Sequence, residues 1–309
     1  MLSFNYLRWI KLSDHSKAAI LVIISGLIWS FGAVVVKSMV DPQLYQLPYL
    51  IIRGDTVALI ICIFLLVKDR GNFLKNFFTF DKITIYGGLL LMCTMIGFIY
   101  SITNTTAAVT LLMLALMPFL ASIIAFVVIK EKISKKNFIA MIFALIGVII
   151  MMLQGKISGS LFGLLTGLVA SLGFAGFTVM LRSKNDIKKF YILIYAGIFC
   201  AIFSFTILLI SDGSIYIPLK NIFLSIVHGC LVGSGLILYS LGSKKLLSGE
   251  LTMLSLLEVI GGIIWAWVPF LGVNETPGSY TLLGGFIICL SIAINSVNFD
   301  KDRLIKQVR

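Results

Sequence analysis

The chain has 309 residues, of which 59% are hydrophobic and 12% are charged, and its formal net charge at pH 7 is +12. Soluble domains carry about 25% charged residues, so this composition excludes an ordinary globular protein and indicates a chain that lies mostly within a membrane. The positive charges are spread over short loops, which suits anionic lipid head groups and argues against a nucleic-acid partner.

Ten apolar segments are long enough to cross a bilayer as helices. A bilayer core about 30 Å thick requires roughly 20 helical residues. The apolar runs are long and unbroken, which favours helices over the alternating strands of a membrane barrel. We therefore predict an all-α integral membrane protein with terminal tails at 1–17 and 299–309, and with spans at 18–36, 47–67, 83–101, 106–129, 137–153, 161–181, 190–210, 222–241, 251–271 and 280–297.

The basic residues predict the orientation of these spans. If the N-terminus is inside, 21 of the 25 lysines and arginines fall in inside segments, and only Lys37, Lys156 and Lys220 fall outside. This asymmetry follows the positive-inside rule and requires an even number of spans. The prediction is a multi-pass protein of the inner or plasma membrane with both termini in the cytoplasm.

The two halves of the chain look like copies of each other. SGLIWSFGAVVVKS in the first span resembles TGLVASLGFAGFTVMLRS in the sixth, and Pro118 and Glu258 fall at similar places in the fourth and ninth spans. We predict two repeats of five spans, at 18–153 and 159–298. Because five is odd, the second repeat would lie upside down, which is an architecture that secondary transporters use widely.

These motifs resemble the drug/metabolite transporter superfamily, EamA type, over about residues 18–298. The resemblance rests on the Trp29 region, on Arg53 in LIIRGD, on Pro118 in the fourth span and on the glutamate of KEK at the end of that span. The family's ninth span often has an acidic residue followed by proline, whereas Glu258 is followed here by valine. The resemblance implies two five-helix repeats and export of small metabolites or amino acids by alternating access.

Glu258 is the main candidate for binding the solute. It is predicted about 15 Å into the ninth span, close to the membrane midplane. An acidic residue there costs about 2.5–3.5 kcal/mol, so it normally faces a protein interior or a wet cavity. Its carboxyl would suit a solute ammonium group or a coupling proton. The alternative is a hydrogen bond to a neighbouring helix.

Five further intramembrane residues are candidates for the substrate-binding site. His228 would suit a proton relay or a bound carboxylate, because histidine side chains ordinarily titrate near physiological pH. Trp29, Tyr100, Tyr239 and Trp265 would form an aromatic wall that holds an amphipathic solute by stacking and cation–π contacts. The alternatives are a hydrogen bond between helices for the histidine and anchoring at the membrane interface for the aromatic residues.

Four residues are predicted to have structural or gating roles. Arg53, near the outer end of the second span, is expected to tie spans together or to reach the head groups, with attraction of an anionic solute as the alternative. Pro118 interrupts the fourth span, which suits either a hinge or a passive kink. Glu131 and Glu275 lie at helix ends on opposite membrane sides, where they suit gating ion pairs with nearby lysines such as Lys37.

No catalytic, nucleotide-binding or metal-binding motif is visible, so we expect no cofactor and no direct use of ATP. The prediction is a secondary transporter for a small organic metabolite or amino acid, with export as the expected direction. A proton or another ion is the candidate for coupling, and the assembly is a monomer or a homodimer. Two alternatives stay open: a channel-like facilitator, which needs a continuous polar stripe, and a membrane enzyme that modifies lipid, which needs clustered polar residues at one interface.

Overall fold

Every regular element in the described part of the chain is a helix. The computed structural model describes residues 13–79, 81–133, 135–152, 160–184, 187–268, 276 and 278–296. Glu275 and most of the two predicted tails lie outside these residues. The helices are α1 (Asp14–Trp29), α2 (Gly32–Lys37), α3 (Gln46–Lys68), α4 (Phe73–Phe77), α5 (Lys82–Asn104), α6 (Ala107–Leu114), α7 (Met117–Val128), α8 (Lys135–Met152), α9 (Leu161–Arg182), α10 (Tyr191–Ile210), α11 (Leu219–Gly242), α12 (Ser248–Ser255), α13 (Leu257–Trp267) and α14 (Ser279–Ser296).

Eight stretches among these residues are long and apolar enough to cross a membrane. Five are single helices, namely α3, α5, α9, α11 and α10 with the short 3-10 turn before it, and three are the pairs α1–α2, α6–α7 and α12–α13. The helices α8 and α14, each 18 residues long, contain shorter apolar stretches and pack against each other. The predicted all-α membrane class is confirmed, and the count of ten spans stays a prediction.

Polar side chains fix where several of these helices begin. Ser13, Asp81, Thr106 and Ser160 each accept a hydrogen bond from a backbone N–H in the first turn of α1, α5, α6 and α9. These N-caps satisfy donors that have no partner within the helix, which matters most next to a membrane. Consequently α1 begins at Asp14, four residues before the first predicted span.

Small residues allow α3 and α10 to approach closely. A Cβ atom added to Gly54 would lie 2.7 Å from the carbonyl oxygen of Gly197, and one added to Gly197 would lie 2.6 Å from the carbonyl oxygen of Gly54. Ala58 and Ala201, four residues further along each helix, lie in the same contact. This spacing of small residues is typical of close helix packing in membranes, where van der Waals contact drives association.

Candidate functional site

A cavity lies between α1, α3, α5, α6, α7, α9, α11 and α13. Its free space is about 530 Å³, a figure that includes the part open to solvent. Most of its wall is apolar or aromatic, and four side chains are polar. The lining residues are Trp29, Arg53, Leu91, Thr94, Met95, Phe98, Leu114, Met117, Phe174, His228, Val232, Leu236 and Glu258.

Two interrupted helices meet at this cavity. The break between α6 and α7 has Leu114 on one side and Met117 on the other, and both residues line the cavity. Pro118 follows in the first turn of α7, and because it has no N–H it cannot donate to the carbonyl of Leu114. The break between α12 and α13 falls at Leu256. Both breaks therefore lie next to residues that line the cavity.

Glu258 lies at the second of these breaks. It is in the first turn of α13, where the helix dipole favours a negative charge, and its side chain is half-buried in the cavity wall. The α1 backbone approaches this point closely, since a Cβ atom on Gly26 would lie 3.1 Å from the Ser255 carbonyl oxygen and 3.5 Å from the Glu258 nitrogen. Glu258 therefore faces protein and cavity, as its position in the sequence predicts.

Arg53 lines the same cavity and is only 3% exposed. Its Nη1 donates to the Met95 carbonyl oxygen on α5 at 3.0 Å, whereas its Nε has no hydrogen-bond partner among the described residues. Arg53 and Glu258 line the same cavity, but no ion pair joins these two described side chains. The bond to Met95 fits the predicted structural role. The sequence analysis expected a position nearer the head groups, and the structure places the guanidinium in the cavity wall instead.

His228 is buried on α11, and its ring reaches the cavity. Its Nδ1 lies 2.9 Å from the hydroxyl oxygen of Tyr49, and its Nε2 lies 3.0 Å from the position that a Cβ atom on Gly32 would occupy. The imidazole is therefore held between α2, α3 and α11. Tyr49 is missing from the predicted site. Its spacing of four residues from Arg53, which puts both on one helix face, is the signal that would have found it.

Trp29 and Phe174 form an aromatic part of the cavity wall. Their ring centres are 5.6 Å apart in an edge-to-face arrangement, and Trp29 Nε1 donates to the Val232 carbonyl oxygen at 3.3 Å. Tyr239 lies behind this wall and is fully buried, with its ring 5.5 Å from Trp29 and its hydroxyl bonded to Thr178 at 2.8 Å. Tyr239 thus packs against Trp29 without lining the cavity. Phe174, which was not predicted from the sequence, lines the cavity together with Trp29.

Trp265 and Tyr100, both predicted to bind the solute, lie away from the cavity. Trp265 stacks on Phe31 with ring centres 4.6 Å apart and donates to the Ser30 hydroxyl at 2.8 Å. Tyr100 meets Phe162 edge to face, with ring centres 5.8 Å apart. Neither is among the residues that line the cavity.

Glu131 belongs to a polar cluster at the end of the bundle that is predicted to face the cytoplasm. Its carboxylate pairs with Arg182 Nε and accepts a hydrogen bond from the Ser248 backbone N–H at 2.9 Å. Arg182 also donates from Nη1 to the Ser243 carbonyl oxygen at 2.8 Å. This cluster, which we call the end cluster (Glu131, Arg182, Ser243 and Ser248), joins the ends of α7, α9 and α11 to the start of α12. The partner of Glu131 is an arginine, not one of the nearby lysines that the sequence analysis named.

Two further polar contacts close the same end of the bundle. His15 Nε2 lies 2.7 Å from Glu250 Oε1, and this buried pair connects the start of α1 to α12. Lys189 is fully buried, with its ammonium bonded to the Ser240 carbonyl oxygen and, at 2.8 Å, to the Ser243 hydroxyl. His15 falls within the predicted tail at 1–17, and this pair was not predicted from the sequence.

The fold and the cavity define a helical membrane protein with a cavity between its helices. Residues 16–153 match the model of the EamA-like transporter family, which confirms the resemblance to EamA-type members of the drug/metabolite transporter superfamily over the first predicted repeat. A solved crystal structure, described simply as that of a protein, aligns over 90% of this chain and 96% of its own with a TM-score of 0.68 and 15% identity, which shows a shared fold alone. No curated protein matches the sequence.

Proposed function

We propose that this protein is a secondary transporter that moves a small organic metabolite or amino acid through the bilayer by alternating access, with export as its direction. The observation that carries the proposal is the position of Glu258, which lies at a helix break in the wall of a cavity that Arg53 also lines. Interrupted helices at a central cavity are the usual site of solute binding in secondary transporters.

The cavity offers opposite charges to one solute. Arg53 has hydrogen-bonding capacity to spare for an anionic group, and Glu258 would bind an ammonium group or a proton. Trp29 and Phe174 add apolar surface beside them. An amino acid carries both charges and fits this arrangement, and Glu258 is also the candidate for coupling to protons.

The pattern of helix contacts supports two five-span repeats of opposite orientation. If α1–α2, α3, α5, α6–α7 and α8 correspond in order to α9, α10, α11, α12–α13 and α14, each major contact has a counterpart. The contact of α5 with α9 corresponds to that of α11 with α1, and the contact of α3 with α11 corresponds to that of α10 with α5. The contacts α3–α10 and α8–α14 each join two corresponding helices, so exchanging the repeats leaves each of these contacts unchanged. Such symmetry would let one fold adopt two related conformations.

The end cluster would act as a gate on the cytoplasmic side. Opening the bundle at this end would separate α12 from α7 and α9, which requires Glu131 to release both Arg182 and the Ser248 backbone N–H. Glu275 is proposed for the corresponding role on the outer side. In this account both termini are cytoplasmic, the membrane is the inner or plasma membrane, and the protein is a monomer or a homodimer.

Counterflow in proteoliposomes tests the proposal. A thermal-shift panel of amino acids, nucleosides and sugars on the purified protein first identifies a solute, since a ligand at 100 times its Kd stabilises the folded state by about 2.7 kcal/mol. Vesicles loaded with that unlabelled solute should then accumulate the labelled solute transiently above its equilibrium level, with a rate that saturates. A channel would give flux without counterflow or saturation, and an enzyme would give chemical conversion of the solute without flux. Either result would overturn the proposal.

A further inference from the structure

A short helical segment connects α3 to α5 at one face of the membrane. It consists of the 3-10 turn Arg70–Asn72 and the helix α4, and it lies between Lys68, where α3 ends, and Lys82, where α5 begins. Both flanking helices are long and apolar enough to cross a bilayer. The segment is therefore held at the boundary between the hydrocarbon core and water.

One side of α4 is attached to α10 by aromatic contacts and hydrogen bonds. Phe73 and Phe77 lie against Tyr191 and Tyr195, with ring centres 6.0 Å and 5.7 Å apart. The Tyr191 hydroxyl donates to Asp69 at 2.7 Å, and the Tyr195 hydroxyl donates to the Phe77 carbonyl oxygen. These contacts fix the rotation of α4, so its other side has a defined direction.

That other side combines apolar and cationic groups. Leu74 and Phe78 are 67% and 64% exposed, and their spacing of four residues places them next to each other. Lys68, Arg70 and Lys75 are exposed around them. An exposed leucine and phenylalanine surrounded by cations is typical of segments that lie in a membrane interface.

The two acidic residues of the segment offset only part of the positive charge, because their carboxylates are turned toward the protein and three cations surround Leu74. Asp69 accepts hydrogen bonds from Tyr191 and from the Asn76 side chain, each at 2.7 Å. Asp81 pairs with Lys184 at 2.6 Å on the side of α9. Both carboxylates are thus engaged with the protein, and the groups directed outward around Leu74 carry positive charge.

We propose that Lys68, Arg70, Leu74, Lys75 and Phe78, which we call the α4 surface, bind anionic phospholipid. Leu74 and Phe78 enter the boundary of the acyl chains, and the three cations bind the phosphates of neighbouring head groups. Lipid is favoured over a soluble acidic protein because the two flanking spans hold this surface at the membrane. The binding is independent of the transported solute, so the proposal stands or falls separately from the transport function.

A fluorophore at position 74 tests the proposal in the full-length protein. The five native cysteines are replaced by alanine, Leu74→Cys is labelled with NBD, and the protein is reconstituted in nanodiscs of phosphatidylcholine with 30% phosphatidylglycerol. Gly71→Cys, on the neighbouring turn with open space around it, provides the comparison position. We expect blue-shifted NBD emission at position 74 and strong quenching by lipids that are spin-labelled near the head group, with weaker quenching at position 71.

The charge preference is measured by comparing two quenchers at equal mole fraction. Spin-labelled phosphatidylglycerol should quench position 74 more strongly than spin-labelled phosphatidylcholine. Each cation near an anionic surface raises the binding constant up to about fivefold, so the anionic lipid should be enriched next to this position. The variant Lys68→Gln with Lys75→Gln should lose most of this preference. The matched control, Lys132→Gln before α8 with Lys135→Gln at the first residue of α8, should keep it. Water-like emission at position 74 would overturn the proposal and leave the surface open to a soluble partner, and equal quenching by the two lipids would also overturn it.

Discussion

Replacing Arg182 by methionine should release the end of the bundle that is proposed to face the cytoplasm. Methionine keeps most of the length and apolar volume of the side chain but removes the charge and every donor. The substitution breaks the ion pair with Glu131 and the 2.8 Å hydrogen bond to the Ser243 carbonyl oxygen. Glu131 then keeps the Ser248 backbone N–H as its partner in the end cluster.

The size of the effect follows from the burial of the pair. The side chains of Arg182 and Glu131 are 17% and 13% exposed, so solvent screens them only partly. Hydrogen bonds to charged groups contribute about 1.5–3 kcal/mol each, and we take about 2–3 kcal/mol for the whole pair after the discount for screening. If this energy is present only in the conformation closed at this end, its loss shifts the equilibrium about 30- to 150-fold toward opening.

A reporter cysteine in the cavity measures this shift. In a background without native cysteines, Met117→Cys is treated with a membrane-impermeant thiol reagent from the cytoplasmic side, with and without Arg182→Met. The reaction should be at least tenfold faster with the substitution. Lys184→Met is the control, because it breaks a similar ion pair at the same end, 2.6 Å long, that joins α9 to α5 and leaves α12 untouched. Equal reactivity in the presence and absence of Arg182→Met would refute the gating role of the end cluster.

Three further predictions concern stability. Gly197→Val should lower the melting temperature by forcing α3 and α10 apart, at a cost of about 1–3 kcal/mol, whereas Gly285→Val, which has open space in α14, should be nearly neutral. Tyr49→Phe leaves Nδ1 of the buried His228 without its hydroxyl partner and should cost about 1–3 kcal/mol in chemical denaturation. Burial opposes ionisation of Asp81, but hydrogen bonds from Lys184 and Thr84 outweigh it and lower the pKa of this carboxyl. The stabilisation that ionised Asp81 contributes to the folded state is therefore complete above the ordinary carboxyl pKa of about 3.9, and it is lost as the pH falls through the lowered pKa of the folded state. Asp81→Asn should remove this part of the acid dependence of the melting temperature.

The helices that cross the membrane could be predicted because long apolar runs have few other stable structures. The predicted sixth span, 161–181, and α9 (Leu161–Arg182) differ by one residue. The breaks could be predicted only in part. Pro118 indicates the interruption after α6, whereas no proline or glycine lies within four residues of Leu256 to indicate the second break.

The polar residues of the candidate site could be predicted, because a polar side chain within a membrane span costs free energy unless it faces protein or water. Glu258 and His228 attract attention for this reason, and the structure brings both to the cavity. Arg53 was placed too near the head groups because a sequence gives distance along a helix and not the depth of the cavity between helices. Phe174 could not be distinguished from lipid-facing aromatic residues, since membrane helices are apolar on both their inner and outer sides.

The transport rate of Glu258→Gln tests the central claim most directly. The carboxyl is replaced by an amide of the same shape, so expression and melting temperature should remain close to those of the wild type. Solute flux in proteoliposomes should fall about tenfold or more, because a charge-assisted contact contributes about 1.5–3 kcal/mol. Asp212→Asn, the same chemical change in an exposed loop residue with positive φ that asparagine tolerates, should transport normally. Normal flux with unchanged pH dependence in the Glu258→Gln variant would contradict the account.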